Sequence, residues 1–250
     1  MTQTHLLGGA GAPGADPRLP LHARVKDDLL RRVKANEWAG DAALPPESAL
    51  AKEYEISVGT VRRVLTELAA EGYLERQQGR GTYIRRASFQ HSLFRFFRMH
   101  GREGQIPDSR ILDRDTVPAE AQVAEALGVA EGTDVLHLLR LRLWEETPFL
   151  VEDIWVPLPL FDPLAEVDLT EVGPLLYPAY EQLAGVIIGS ATEQLSIEQA
   201  SPAVAALLDC SLIDPLVRID RTARTHADQV VEYRRSYGLA KSFQYQVEIN

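Results

Sequence analysis

LPPESALAKEYEISVGTVRRVLTELAAEGYLERQQGRGTYI, residues 44–84, decides the fold of the first third of the chain. Pro45 and Pro46 suit the first turn of a helix, and Leu50 and Tyr54 then fall on one side of it. A second helix follows almost at once. Ser57 is placed to cap it, and Val61, Val64, Leu65 and Leu68 form one buried stripe that runs out at Glu71-Gly72. Beyond it, Tyr73 to Gln77 and Thr82 to Arg86 alternate around Gln78-Gly79-Arg80-Gly81, the pattern of a β-hairpin with a glycine-rich tip. Upstream, Leu21, Val25, Leu29 and Val33 recur every four residues and predict a further helix ending near Trp38-Ala39-Gly40. Three helices and a hairpin, the last two helices joined by a tight turn, predict a winged helix-turn-helix over residues 21–86. Residues 1–20 are rich in Gly, Ala and Pro without hydrophobic period and read as a disordered tail.

A helix enters the major groove when one face packs on its domain and the other carries hydrogen-bond donors. Opposite the Val61, Leu65, Leu68 stripe stand Gly59, Arg62, Arg63 and Thr66, and Arg80 sits between two glycines at the hairpin tip, where it can approach a phosphate or a narrow groove. The net charge of -10 argues against a nucleic-acid partner only on average. Residues 1–86 hold 13 Lys and Arg against 11 Asp and Glu, whereas residues 87–250 hold 13 against 25. The acid is all downstream, so the first domain meets its partner with its own field.

The run LPPESALA followed by ISVGTVRRVLTELAAEGYLERQQGRGTYI resembles the DNA-binding domain of the GntR family of bacterial transcription regulators, over Leu21 to about Arg86. The resemblance implies base contacts from the start of the third helix and groove contacts from the wing glycines, here Ser57, Thr60, Arg62, Gly79 and Gly81. Ala49 and Val58 stand where many family members carry arginine, and Gly59 where they carry a hydroxyl. With fewer direct contacts available, either Arg62, Arg63 and Arg80 carry more of the affinity or sequence preference is lower.

Downstream, residues 87–93 read as a linker. Leu93, Phe94, Phe96 and Phe97 interleave with Arg95 and Arg98, a mixture that suits either stacking on nucleic acid or, more commonly, docking of rings into a core. The rest of the chain repeats once. Val123 to Leu127 ends a helix before the strand Val135 to Arg140, and 81 residues later Val204 to Leu208 precedes Leu216 to Arg221. Each copy turns at a polar loop into a second strand, Phe149 to Val156 or Gln229 to Tyr237, which predicts a duplicated helix–hairpin unit in one antiparallel sheet. Alternation puts Leu138, Arg140, Arg142 and Trp144 on one face. Two arginines there need counter-charges. Either Glu152 or Asp153 on the returning strand supplies them, or the arginines form a pocket that grips a carboxylate or phosphate.

Residues 94–250 resemble the UTRA effector-binding domain of the HutC subfamily, in VLHLLRLRLWEETPFLVEDIWVP, SPAVAALLDCSLIDPLVRIDR and YRRSYGLAKSFQYQVEI. The resemblance implies an α+β fold similar to chorismate lyase, a small-molecule effector site and dimerisation. By position it nominates Arg140, Arg142, Glu152 and Tyr237 as ligand contacts.

Other chemistry is sparse. The six histidines, His5, His22, His91, His100, His137 and His226, lack metal-ligand spacing, and no nucleotide-loop or nucleophile-elbow motif is present. Gly185 to Gly189 reads as an apolar strand, His137 as a satisfied sheet histidine, and Cys210 as a small residue packed against Leu207 and Leu208. A single cysteine and no long apolar run point to a reducing, cytoplasmic setting. The expectation is a ligand-responsive regulator rather than an enzyme, without cofactor or metal. It is expected to act as a repressor, a homodimer on a double-stranded operator released by a small anionic metabolite. An enzyme would need a compact acid–base set beyond Glu152 and His137; a regulator without ligand would use its second domain for dimerisation alone.

Overall fold

The computed structural model describes residues 20–38, 42–86 and 106–244, and the chain divides into two compact units, Met1–Arg85 and Arg86–Asn250. The expected tail short of Pro20, the 87–93 linker, the aromatic run from Leu93 to Phe97, His5, His91, His100 and the chain's last six residues lie outside the described residues.

The first unit is a winged helix-turn-helix. Its three helices are α1 (Leu21–Lys34), α2 (Glu47–Glu53) and α3 (Val58–Ala70), and its wing is β1 (Leu74–Gln77) paired with β2 (Gly81–Ile84). Leu29, Leu50, Leu65, Leu68, Leu74 and Ile84 are buried together with Val61 and Val64, each such side chain stabilising the fold by about 1.5–3 kcal/mol. Asp28 is buried among them because the Tyr54 hydroxyl donates to it at 2.6 Å and Arg31 pairs with it at 2.6 Å. Ser57 caps α3 by accepting the Thr60 N–H at 3.1 Å. The same helix closes with Gly72 in the left-handed region, at φ +84°, and the Tyr73 N–H on the Leu68 carbonyl at 2.9 Å. The first helix is shorter than its periodicity suggests. It stops at Lys34, where Asn36 takes a positive φ and the Asn36 and Glu37 N–H groups close back on the Val33 and Arg32 carbonyls at 3.0 and 3.1 Å.

The second unit is α+β, a six-stranded antiparallel sheet between two helical layers. The strands are β3 (Asp108–Pro118), β4 (Asp134–Trp144), β5 (Thr147–Pro157), β6 (Ile188–Gln199), β7 (Pro215–Thr225) and β8 (Val230–Leu239), in the order β3-β4-β5-β8-β7-β6. The helices are α4 (Ala121–Leu127), α5 (Asp162–Glu166), α6 (Leu176–Ala184) and α7 (Pro202–Leu208). The connectivity β3–α4–β4–β5 recurs as β6–α7–β7–β8, so the repeat is one strand longer than the hydrophobic pattern revealed, and the sheet order is palindromic about the Asp153↔Arg235 pair of β5 and β8. One face, with Leu136, Leu138, Ile154 and Val156, packs on α5 and α6 through Phe161, Leu164, Leu176 and Tyr180. The other packs on α4 near Val135 and Tyr233, and on α7 near Leu141, Val151 and Leu216. Cys210 lies against this last group. Gly185 to Gly189 is not a strand throughout. Gly185 ends α6 at φ +65°, Val186 and Ile187 are a buried connector, and β6 begins at Ile188.

Candidate functional site

In the first unit the outward face of α3 carries Gly59, Arg62, Arg63 and Thr66, all exposed, with Ser57 and Thr60 at its N-terminus. The last two share a hydroxyl contact of 2.9 Å, which adds to the Ser57 cap of the helix start. Ser57, Gly59, Thr60 and Arg63 line an open groove with Leu21 and His22. Arg62 is 62% exposed, yet its fork is held by Glu47 at the start of α2: Nε donates to Oε2 at 3.0 Å, and Nη2 lies 2.9 Å from the same oxygen. Arg76 of β1 joins from the wing, with Nη2 donating to Thr66 Oγ1 at 3.1 Å and lying 3.6 Å from the other oxygen of Glu47. Arg63 pairs with Glu67 at 3.0 Å.

Gly79, Arg80 and Gly81 form the exposed tip of the wing. Glycine is required at both places: Gly79 has φ +75°, and Gly81 has φ +131° with an added Cβ only 3.3 Å from that of Ala43. All eight residues nominated for nucleic acid are thus on exposed or half-exposed surface. Glu47 was not among them, because its approach to Arg62, 15 positions on, is set by the turn between two helices and leaves no sequence signal.

In the second unit the nominated arginines sit beneath α6. Arg140 and Glu152 face each other across β4 and β5, and Nε and Nη2 of the guanidinium both reach Oε2 at 2.6 Å. Arg234 takes the other oxygen of Glu152 at 3.1 Å and pairs with Glu232 at 2.6 Å. Tyr180 and Tyr177 donate to Glu232 at 2.7 and 3.0 Å, and Ser236 donates to Glu152 at 3.4 Å. Arg221, at the position equivalent to Arg140 in the repeat, pairs with Glu193 through Nε at 2.6 Å. Arg142 has no carboxylate in this set and donates instead to the Pro174 carbonyl at 2.7 Å.

The electrostatics follow from this layout. Burial raises the carboxyl of Glu152, but Arg140, Arg234 and Arg142 outweigh it and hold the group well below the usual carboxylate range. Burial and then Arg234 act in the same opposed way on Glu232, with the same net direction. Burial, followed by repulsion from Arg140, pushes Arg142 down to about 10. Four guanidinium groups, on Arg140, Arg142, Arg221 and Arg234, meet three carboxylates, on Glu152, Glu193 and Glu232. Arg140 Nη1, Arg142 Nε and Arg234 Nε are buried without a hydrogen-bond partner among the described residues. Such a cluster has donors and positive charge to spare, which is the chemistry of an anion site.

Tyr237 is not part of it. It pairs with Val151 on the opposite face of the sheet and packs with the α7 group. Ser236, Arg234, Glu232, Tyr177 and Tyr180 stand where that nomination pointed. The alternation of Arg234 and Ser236 along the strand was the available signal. His137 meets Asp153 at 2.9 Å and stacks on Trp155, on the face away from the cluster.

Comparison with known proteins adds the family context. Residues 21–84 match the bacterial regulatory proteins of the gntR family, and residues 102–244 match the UTRA domain. The HTH-type transcriptional regulator SmoD of Agrobacterium fabrum is 31% identical over 180 residues, covering 72% of this chain and 74% of that protein. The histidine utilization repressor of Pseudomonas aeruginosa is 28% identical over 205 residues, covering 81% and 80%. Among solved structures, the ligand-binding domain of a GntR-family transcriptional regulator from Bordetella bronchiseptica aligns with a TM-score of 0.54 at 32% identity, over 58% of this chain and 92% of that one.

Proposed function

The chain belongs to the GntR family of bacterial transcription regulators and carries a UTRA domain, and from that premise we propose that it is a homodimeric, cytoplasmic repressor released from its operator by a small anionic metabolite. Ser57, Thr60, Arg62, Arg63 and Thr66 face the base edges and flanking phosphates of the major groove, while Gly79, Arg80 and Gly81 grip the neighbouring backbone. A two-fold dimer presents two such helices to a pseudo-palindromic site. The effector binds over Arg140, Arg142 and Arg234, its anionic group taking up the guanidinium N–H groups that the protein leaves unmet.

The observation that carries this reading is the excess of cation over carboxylate in a sealed cluster with three orphaned donors. Two relatives' descriptions support the regulatory role: one is a transcriptional regulator and the other a repressor of histidine utilization. The test is a thermal-shift panel of inorganic phosphate, sugar phosphates and carboxylates on the full chain, followed by DNA release with each hit. A specific ligand at a hundred times its Kd adds about 2.7 kcal/mol of stability, a rise in melting temperature of several degrees. Stabilisation only by neutral compounds would remove the anionic part of the reading.

A further inference from the structure

Glu47 stands out in the first unit because it spends a negative charge on the surface that should attract phosphate. Its carboxylate is half-buried at the first turn of α2, where the helix dipole favours an acid, and it is fixed from two sides by Arg62 and Arg76. Thr66 and the Arg62 carbonyl hold Arg76 in turn, at 3.1 and 3.3 Å. The result is a closed brace: α2 contributes the acid, α3 the exposed arginine, and the wing strand the second arginine.

We infer that Glu47 is a specificity-determining positioning residue. It aims the Arg62 fork before DNA arrives and cancels part of the charge that would bind any phosphate. An arginine reads guanine through two parallel donors, so a guanidinium already fixed in one orientation loses less freedom on meeting the right base. A neutralised arginine also gains less from a wrong site, where only backbone phosphates are offered. Both effects widen the gap between cognate and random DNA, one from each side. The brace rests on the DNA-binding reading given above, since it acts through Arg62.

The test starts from a randomised duplex pool selected with the full-length wild-type protein, which yields a preferred duplex and a scrambled control of equal composition. Binding of both is then measured for wild type, Glu47→Gln and Arg62→Lys over a salt series. Glu47→Gln should bind the scrambled duplex more tightly, with a log–log salt slope steeper by about one per bound protomer. Its preference for the selected duplex should fall roughly fivefold or more. Arg62→Lys keeps the charge but not the fork, and should lose the preference without gaining random affinity. A Glu47→Gln protein with a wild-type melting temperature and an unchanged preference would overturn the inference; should it fail to fold, an unchanged preference in Arg62→Lys does the same. If the wild-type protein itself enriches no sequence, the DNA-binding reading fails instead.

Discussion

Arg140 and Glu152 are direct cross-strand partners on β4 and β5, joined at 2.6 Å with both side chains sealed from water, while Arg142, one pleat further on, donates to the Pro174 carbonyl and has no ion-pair partner among the described residues. The two arginines therefore do different work. The first is chiefly an ion-pair member of the core; the second is the cation left over.

Replacing Arg140 by Ala takes from Glu152 its nearest cation and leaves it Arg234 at 3.1 Å and the Ser236 hydroxyl at 3.4 Å. Breaking one side of a buried pair costs about 3–5 kcal/mol, so the urea midpoint of the Arg140→Ala protein should drop sharply, and Arg140→Met with Glu152→Leu should recover part of it. A midpoint equal to wild type would mean that water reaches the pair in solution.

Arg142→Ala is the cleaner probe of the ligand. It leaves the Pro174 carbonyl unpaired but no carboxylate of the cluster unpartnered, and removes about 1.5–3 kcal/mol of charge-assisted bonding to an anion, roughly 10- to 100-fold in effector Kd. Tyr237→Phe, on the other face, should leave that Kd unchanged. Titration calorimetry on both variants with a hit from the thermal panel distinguishes them.

The buried carboxylates set an acid limit. Glu152 and Glu232 are depressed in the folded protein, so the stability they contribute is fully present above the unfolded value of about 4.3 and is lost as pH falls through the folded values. Urea unfolding followed downward from neutral pH should show little loss from these groups until about pH 4 and a steep loss below, with a shallower fall in Glu152→Gln. An equal slope in the variant would place the acid sensitivity elsewhere.

The cap of α3 offers a separate check on the helix proposed to enter the groove. Ser57→Ala removes the acceptor for the Thr60 N–H and should cost about 0.5–2 kcal/mol, measured by calorimetry, while fraying the turn that carries Thr60 and Arg62.

The three helices and the wing were legible because each announces itself locally. The Val61, Leu65, Leu68 stripe has the helical period, and Gly79 and Gly81 mark the hairpin tip. The edge strands β3 and β6 were not read. Each is solvated along much of its length and carries Asp, Arg, Glu or Gln where a buried strand would carry Val or Ile, so its alternation is faint. Alternation along β4 puts Arg140 and Arg142 on one face, whereas spacing leaves Glu152 and Asp153 as equal candidates for the counter-charge and only the family resemblance singles out Glu152. Glu232 and Arg234 were missed because their partners Tyr180 and Glu152 are 52 and 82 positions away, brought close only by closure of the repeat.

The central claim is that the winged unit binds DNA largely through its cationic face. Fluorescence anisotropy of the full-length protein on a selected duplex, between 50 and 200 mM salt, tests it most directly. With about six phosphate contacts for the proposed dimer the affinity should fall by roughly 10³. An affinity that does not move with salt would contradict the account.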